Sequence, residues 1–161
     1  MKKLLMATAA TALMTGSAIA GGHGKEVKIG VILGFTGPLE SITPAMGAGA
    51  EMAMAEVTAS GMLLDAAKVI SVRADSTCID AGAATSAAER LVTADKVDAI
   101  MGADCSGVTG AILANVARAN GVVMISPSAT SPGLSTAEDD GLFFRTAPSD
   151  ARQGVIITNI L

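Results

Sequence analysis

Short apolar runs alternate with longer amphipathic stretches along most of this chain. The short runs are rich in Val and Ile and end at polar or glycine-containing turns, a pattern that predicts β-strands. We place five strands, at Val27–Ile32, Lys68–Ala74, Val97–Met101, Val122–Ile125 and Leu142–Arg145. The stretches between them have the spacing of helices, which we place at Thr43–Ser60, after Asp80 through Thr93, at Ser106–Ala119 and from Ser149 or Asp150 onward. This alternation predicts an α/β fold, an open parallel sheet with helices on both faces and right-handed crossovers.

Polar and glycine residues at the ends of these stretches support the helix limits. Thr43 and Pro44 predict an N-cap followed by proline at the first helical position, and Gly61 predicts the end of that helix. Asp80 is expected to cap the second helix. Gly121 is expected to end the third helix in the left-handed conformation.

The last part of the chain is less regular. Ser126–Asp140 is rich in Ser, Thr, Pro, Gly and Asp, which predicts a long loop that can include one helical turn. The final helix carries several apolar side chains between residues 155 and 161, and these would be partly exposed or would need a partner. We therefore expect a fragment of a longer protein. The alternative is an ordinary C-terminal helix docked on the sheet.

Residues 1–20 have the three-part pattern of a secretory signal peptide. Lys2 and Lys3 precede an apolar run, and the small residues Ala18–Ala20 supply a cleavage site before Gly21. No cysteine follows the predicted cut directly, so a lipid anchor is not expected. The pattern predicts a periplasmic protein with a flexible leader at residues 21–25.

Composition excludes one large class of partner. Without residues 1–20 the chain keeps nine basic and fifteen acidic residues, a net charge of −6. It contains three Phe but no Trp or Tyr, so side chains that could stack on bases are scarce. Nucleic-acid binding needs a basic footprint that is missing here.

Catalytic chemistry has little support. The only histidine is His23, in the leader, so no folded imidazole is expected to activate a serine or cysteine. Gly102–Gly107 has glycines at phosphate-loop spacing, but no lysine follows Gly107. We therefore expect no catalytic residue, no cofactor and no metal site. The rival hypothesis is an exported enzyme that uses Cys105 as its nucleophile.

The two cysteines are candidates for a disulfide. Cys78 and Cys105 each follow a predicted strand in an exported chain, where disulfides persist. The alternative is a pair of buried free thiols. A bridge would also argue against the enzyme hypothesis, because a bridged Cys105 cannot attack a substrate.

Two hydroxyl-rich turns are the strongest functional signal. Asp104–Gly107 and Ser126–Thr130 each come directly after a predicted strand, so both should lie at the carboxyl edge of the sheet, where open α/β sheets bind ligands. Ser106 is placed to hold a carboxylate at the start of a helix, and Ser128 and Thr130 could receive an ammonium group. Alternatively, Ser106 is only an N-cap and the other two are only turn residues.

Five segments carry a resemblance to a known family, and they follow one another over nearly the whole chain after residue 26. The stretch from Val27 to Gly154 resembles the first lobe of the branched-chain amino-acid substrate-binding proteins that serve ABC transporters. The matching segments are Val27–Val31, Phe35–Pro38, Gly102–Gly107, Met124–Pro132 and Phe144–Asp150 with Gln153 and Gly154. The resemblance implies a type I periplasmic-binding-protein lobe with flavodoxin-like strand order.

The same resemblance implies roles for individual residues. Ser106 corresponds to the serine that binds the ligand α-carboxylate. Ser128 takes the place of a residue whose backbone carbonyl receives the α-ammonium. Thr130 corresponds to a threonine that offers its N–H and its hydroxyl, and Ala129 lies between these two in the ligand-binding loop. A disulfide at the two cysteine positions is also a feature of many members.

The resemblance implies a function without catalysis. An exported protein of this family captures a small amino acid and delivers it to an inner-membrane ABC permease. Residues 26–161 would form the N-terminal ligand-binding lobe, truncated, with the second lobe missing. Relatives with this fold also suggest amides, urea-like compounds or small organic acids as ligands, or a sensor domain. The loop after Pro38 lacks the aromatic residue that several relatives carry there.

Overall fold

A computed structural model describes residues 26–161 of the chain as a parallel sheet with helices. The predicted signal peptide and leader, including His23, lie outside these residues. The strands are β1 Glu26–Leu33, β2 Lys68–Asp75, β3 Ala99–Gly102, β4 Val123–Ser126 and β5 Phe143–Arg145. They are all parallel, in the order β2-β1-β3-β4-β5, so the predicted flavodoxin-like order is confirmed.

The helices follow the predicted limits closely. They are α1 Thr43–Ser60, α2 Ala81–Thr93, α3 Ser106–Ile112, α4 Arg118–Asn120 and α5 Asp150–Ile160. A π-helical turn, Leu113–Ala117, joins α3 to α4, so the predicted third helix is continuous but not regular. A short 3₁₀ turn, Pro132–Ser135, lies inside the predicted long loop.

Local capping explains why two of the helix ends were predictable. The Asp80 carboxylate accepts hydrogen bonds from the N–H groups of Gly82 and Ala83, both at 2.9 Å, so Asp80 is the N-cap of α2 as expected. Gly121 ends α4 with a φ of 65°, the left-handed conformation that glycine adopts at little cost.

The predicted N-cap of α1 was wrong. Ile42 holds the N-cap position, and Thr43 is already the first helical residue. The Thr43 side chain is fully buried, and its hydroxyl donates to the carbonyls of Gly34 and Leu39 at 2.8 and 3.1 Å. Burial against the loop after β1 therefore makes this hydroxyl a donor, where an N-cap would use it as an acceptor.

Three strands begin later than predicted, β3 by two residues and β4 and β5 by one. β3 starts at Ala99 and β4 at Val123, although the apolar runs start at Val97 and Val122. Both earlier residues are buried, so they belong to the core but not to the ladder. An apolar run thus predicts which side chains are buried. The strand itself starts only where the backbone hydrogen-bonds to an adjacent strand.

The main core lies between the sheet and the helices α2 and α3. Side chains alternate along β1, so Ile32 packs into this core. Val27 and Ile29 line an apolar groove beside α1 on the other face. The predicted helices on both faces are confirmed, but α1 contacts β1 and β2 and leaves Ile125 and Phe144 partly exposed.

The last helix does not dock on the sheet. Val155, Ile156 and Ile157 of α5 are each about half exposed, so the partial exposure expected of these side chains is confirmed. None of the helices among residues 26–161 combines the length and the apolarity needed to cross a bilayer.

Gly102, at the end of β3, is the position where the fold most clearly needs glycine. Its φ is 135°, a conformation that residues with a Cβ rarely adopt. An added Cβ would lie 2.0 Å from the carbonyl oxygen of Ile32 in the neighbouring strand. Gly102 therefore lets the chain turn directly from β3 into Asp104–Gly107.

We expect Gly102→Ala to lower the free energy of unfolding by about 3 kcal/mol or more, because strained φ and overpacking each cost about 1–3 kcal/mol. Urea unfolding followed by circular dichroism measures the change. Gly49→Ala in α1 is the control, since a Cβ there meets nothing within 4 Å and should be neutral or slightly stabilising. Equal stability of the two variants would contradict this account of the turn.

Candidate ligand-binding site

The register of the sheet places the two hydroxyl-rich turns side by side. β3 and β4 are parallel neighbours, with Ile100 opposite Met124 and Met101 opposite Ile125. Both strands therefore end at the same edge of the sheet. Asp104–Gly107 follows β3 at this edge, and Ser126–Thr130 starts there at the last residue of β4, so the predicted placement of the two turns is confirmed.

Hydrogen bonds join the two turns directly. The N–H of Ser131 donates to Ser106 Oγ at 3.1 Å, and the Ser128 hydroxyl donates to the carbonyl of Asp104 at 2.9 Å. The buried Ser126 hydroxyl donates to the carbonyl of Ala103 at 2.6 Å and accepts from the N–H of Ala129 at 3.0 Å. The turns thus form one unit.

Ser106 keeps a donor for a ligand. Its Oγ accepts a hydrogen bond from Ser131, and its hydroxyl proton has no acceptor among residues 26–161. The N-cap of α3 is Cys105, so the alternative that Ser106 is only an N-cap does not hold. Ser106 is half-buried, so part of the residue is exposed to solvent.

Thr130 is braced by a residue that sequence reasoning missed. Its hydroxyl donates to the Asp150 carboxylate at 2.9 Å, and the Asp150 N–H donates to the Thr130 carbonyl at 3.0 Å. From the sequence, Asp150 was expected only near the start of the last helix; in the structure it is the first residue of α5, and Ser149 is the N-cap. Asp150 therefore places a carboxylate beside the predicted ammonium-binding loop.

Ser128 and Ala129 differ in what they leave free. Among the described residues, the carbonyl of Ser128 accepts no hydrogen bond, so it is available to a donor. Ala129 is fully buried, its N–H is bound by Ser126, and its carbonyl accepts from Arg145 at 3.1 Å. Ala129 shapes the turn, while its neighbours carry the unpaired polar groups.

A cavity of about 320 Å³ opens beside Thr130, between this loop and the start of α5. The other lining residues are Pro148, Ser149, Asp150, Arg152, Gln153, Ile156 and Ile157. Its wall combines apolar side chains with one carboxylate and one guanidinium. Such a space can hold a small molecule that has charged and apolar parts.

The disulfide predicted from the sequence is present. Cys78 and Cys105 are bonded, with their Cα atoms 5.2 Å apart, which ties the turn after β2 to the start of α3. The hypothesis of a Cys105 nucleophile is therefore wrong, since Cys105 has no free thiol. Asp104 lies beside the two sulfurs, but sulfurs in a disulfide are not the thiolate ligands that a metal needs.

Buried hydrogen bonds hold the neighbouring loops. The buried Asp104 carboxylate accepts from the N–H of Gly34 at 2.9 Å and from the Ser76 hydroxyl at 3.3 Å. This carboxylate therefore joins the turns that follow β1, β2 and β3. Asp104 therefore has a structural role, which is to hold the loops next to the candidate site.

Asp75 makes a second link between the same loops. It accepts from the Thr36 hydroxyl at 2.6 Å and from the N–H of Thr77 at 2.8 Å. Burial acts to raise the pKa of Asp75, but these hydrogen bonds favour the charged carboxylate and bring the pKa below its ordinary value of 3.8.

Comparisons with known proteins place the chain in one family. A family profile described as "Periplasmic binding protein" matches residues 26–159. The Leu/Ile/Val-binding protein of Citrobacter freundii is 32% identical over 130 residues, which is 81% of this chain and 34% of the relative. An "Amino acid binding protein" of Pseudomonas aeruginosa is 31% identical over 139 residues, 81% of this chain and 36% of the relative.

Solved structures lead to the same group. The branched-chain amino acid transporter substrate binding protein LivJ of Streptococcus pneumoniae, in complex with isoleucine, is 36% identical with a TM-score of 0.70. The match covers 78% of this chain and 35% of that protein. An ABC transporter substrate-binding protein of Desulfitobacterium hafniense in complex with Leu has a TM-score of 0.70 at 27% identity, covering 83% and 38%. The chain thus spans about a third of the length of the curated relatives it matches.

We expect the double variant Cys78→Ala/Cys105→Ala to lose about 3–4 kcal/mol of unfolding free energy, because the bridge closes a loop across a sequence separation of 27. Urea unfolding with and without dithiothreitol measures this loss. Reduction should destabilise the wild type to a similar extent and leave the double variant unchanged. Two free thiols found by titration of the native protein would contradict the bridge.

We expect the stabilising effect of Asp75 to depend on pH. A carboxylate whose pKa is lowered on folding adds stability above its unfolded pKa, and that stability is lost as the pH falls through the folded pKa. Asp75→Asn should therefore be destabilising at pH 7 and much less so near pH 2, measured by urea unfolding. Thr36→Val removes a donor to the same carboxylate and should show the same trend. A loss of stability that does not change with pH would contradict this account.

Proposed function

This chain belongs to the periplasmic binding protein family, and from that premise we propose that it captures a small amino acid for an ABC importer. The relatives' names, Leu/Ile/Val-binding protein and amino acid binding protein, support a zwitterionic ligand. We further propose that residues 1–20 direct the protein to the periplasm, where the family is found. An inner-membrane permease would then receive the ligand.

The turn after β3 would hold the α-carboxylate. The Ser106 hydroxyl has a proton that no described residue accepts, and the first N–H groups of α3 point out of the helix start. A hydroxyl donor and helix N–H groups favour an anion at this place. Ser106 is therefore the residue that we assign to the carboxylate.

The turn after β4 would hold the α-ammonium. The Ser128 carbonyl is unpaired within residues 26–161, and the Thr130 hydroxyl keeps its lone pairs while it donates to Asp150. The Asp150 carboxylate adds the negative charge that a cation needs in a half-buried place. We add Asp150 to the predicted residues and assign to Ala129 only the shape of the loop.

One observation carries the proposal. The hydrogen bond from the Ser131 N–H to Ser106 Oγ is 3.1 Å long. It places the unpaired hydroxyl proton of Ser106 next to the loop in which the Ser128 carbonyl is unpaired. These two groups lie on adjoining turns at one edge of the sheet, beside the cavity at Thr130, and their chemistry matches the opposite charges of one amino acid. No histidine occurs after residue 23, so we propose binding without catalysis.

Within residues 26–161, the cavity beside Thr130 is lined only by the loop after β4 and by the segment from Pro148 into α5. Because the chain spans about a third of its relatives' length, we propose that it supplies one lobe of a two-lobed binding protein. An open site leaves much of a small ligand in water, so the total affinity is expected to be weak and to depend on a few direct contacts. Enclosure by a second lobe would be needed for tight binding.

We expect the purified chain to bind L-leucine with a dissociation constant on the order of 1–10 mM, measured from amide shifts in ¹⁵N–¹H NMR spectra. Leucinamide lacks the carboxylate and 4-methylpentanoate lacks the ammonium, so neither should compete. Micromolar affinity would contradict the open, one-sided site. Equal binding of the three compounds would contradict recognition of a zwitterion.

We expect Ser106→Ala and Thr130→Ala each to weaken leucine binding by more than about tenfold, because each removes hydrogen bonds to a charged group. The same NMR titration measures this. Thr93→Ala is the matched control, since the Thr93 hydroxyl bonds only within α2, to the Glu89 carbonyl at 2.6 Å. Unchanged affinity in both site variants would reject the assignment.

A further inference from the structure

One guanidinium holds the loop that follows β4. Arg145, at the end of β5, donates through Nη1 to the carbonyls of Ala129 at 3.1 Å and Ser131 at 2.8 Å. Its Nη2 donates to the hydroxyl of Ser135 in the 3₁₀ turn. The sequence pattern predicted Arg145 as the last residue of the fifth strand and indicated no role for its side chain.

These contacts bracket Thr130 on both sides. The carbonyl before Thr130 and the carbonyl after it both accept from the same nitrogen of Arg145. The carbonyl of Thr130 itself accepts from the Asp150 N–H. Three successive carbonyls of the loop are therefore fixed by partners outside it.

The planar peptide bond transmits this constraint to the Thr130 N–H. In a trans peptide the C=O of one residue and the N–H of the next point in opposite directions. Because the Ala129 carbonyl is held toward Arg145, the Thr130 N–H points away from Arg145. This N–H donates to no acceptor among residues 26–161.

The contact geometry requires arginine. A guanidinium offers five donors in a rigid fork, so it can serve two carbonyls and a hydroxyl at once. A lysine ammonium is a compact point charge on a flexible stem and cannot reproduce that arrangement. Within residues 26–161, Arg145 makes no salt bridge with a carboxylate, so its role here is to hold backbone acceptors.

We propose that Arg145 is a positioning residue that aims the Thr130 N–H into the ligand site. The link to ligand binding rests on the proposed function, while the effect on the backbone does not. Arg145 itself would touch no ligand. Its loss would leave the Thr130 side chain in place but let the peptide unit before it rotate.

The test separates orientation from affinity. The residual dipolar coupling of the Thr130 N–H, measured by NMR on the purified chain, reports the direction of that bond without any ligand. We expect it to change in both Arg145→Gln and Arg145→Lys. L-leucine, titrated on the same samples, should bind at least about tenfold more weakly in both variants. The Thr130 hydroxyl faces the ammonium in the proposed site, but its N–H can only donate, so we expect that N–H to be a second donor, beside Ser106, to the carboxylate, and its alignment would be lost.

Two variants serve as controls. Ser135→Ala removes only the third acceptor of Arg145 and should leave the Thr130 coupling and leucine affinity unchanged. Arg118→Gln removes a surface arginine bonded to Asp140 at 2.9 Å and should likewise leave both unchanged. If Arg145→Gln does not fold, Arg145→Lys carries the test, because it retains the charge.

The outcomes are distinct. An unchanged Thr130 coupling in Arg145→Lys would overturn the positioning role, whatever happens to leucine. If the Thr130 coupling changes in Arg145→Lys but the wild type binds no leucine, the positioning role would be supported and the proposed ligand would be rejected. A weaker leucine affinity with an unchanged coupling would also overturn the proposal, since orientation is the cause that we assign.

Discussion

The hydrogen bonds between the turns after β3 and β4 are the interactions on which the site depends. Parallel pairing brings the two strand ends together, but it leaves the turns free to diverge. The contacts of Ser131 with Ser106, and of Ser128 with Asp104, hold the two backbones at a fixed separation. The proposed ligand would bridge two turns that already contact each other.

Buried polar groups extend this arrangement to the rest of the sheet edge. Asp104 receives donors from the turns after β1 and β2, and the disulfide ties Cys105 to the turn after β2. Arg145 of β5 and Asp150 of α5 hold the loop after β4 by hydrogen bonds. Groups that are satisfied in this way are costly to move, so the edge is organised before any ligand arrives.

Local signals predicted most of the fold. Asp80 and Gly121 act within one helical turn of their position, so their roles could be inferred without knowledge of distant residues. Thr43 failed as a predicted cap because a distant carbonyl, that of Gly34, takes its hydroxyl. In the site, Ser106, Ser128 and Thr130 follow strand ends and were therefore predictable. Asp150 and Arg145 were missed because they reach the loop from other elements.

By itself, the sequence determined which segments become strands and helices and which turns share an edge, because periodicity, capping and strand direction are properties of neighbouring residues. The resemblance to a known family added roles for the residues at that edge. Only the tertiary structure decided which hydroxyls, carbonyls and N–H groups are used internally and which are free. Much of that decision depends on partners that are far apart in the sequence, such as Thr130 with Asp150 and Ser106 with Ser131. Hydrogen bonds over such distances leave no periodic signal in the chain.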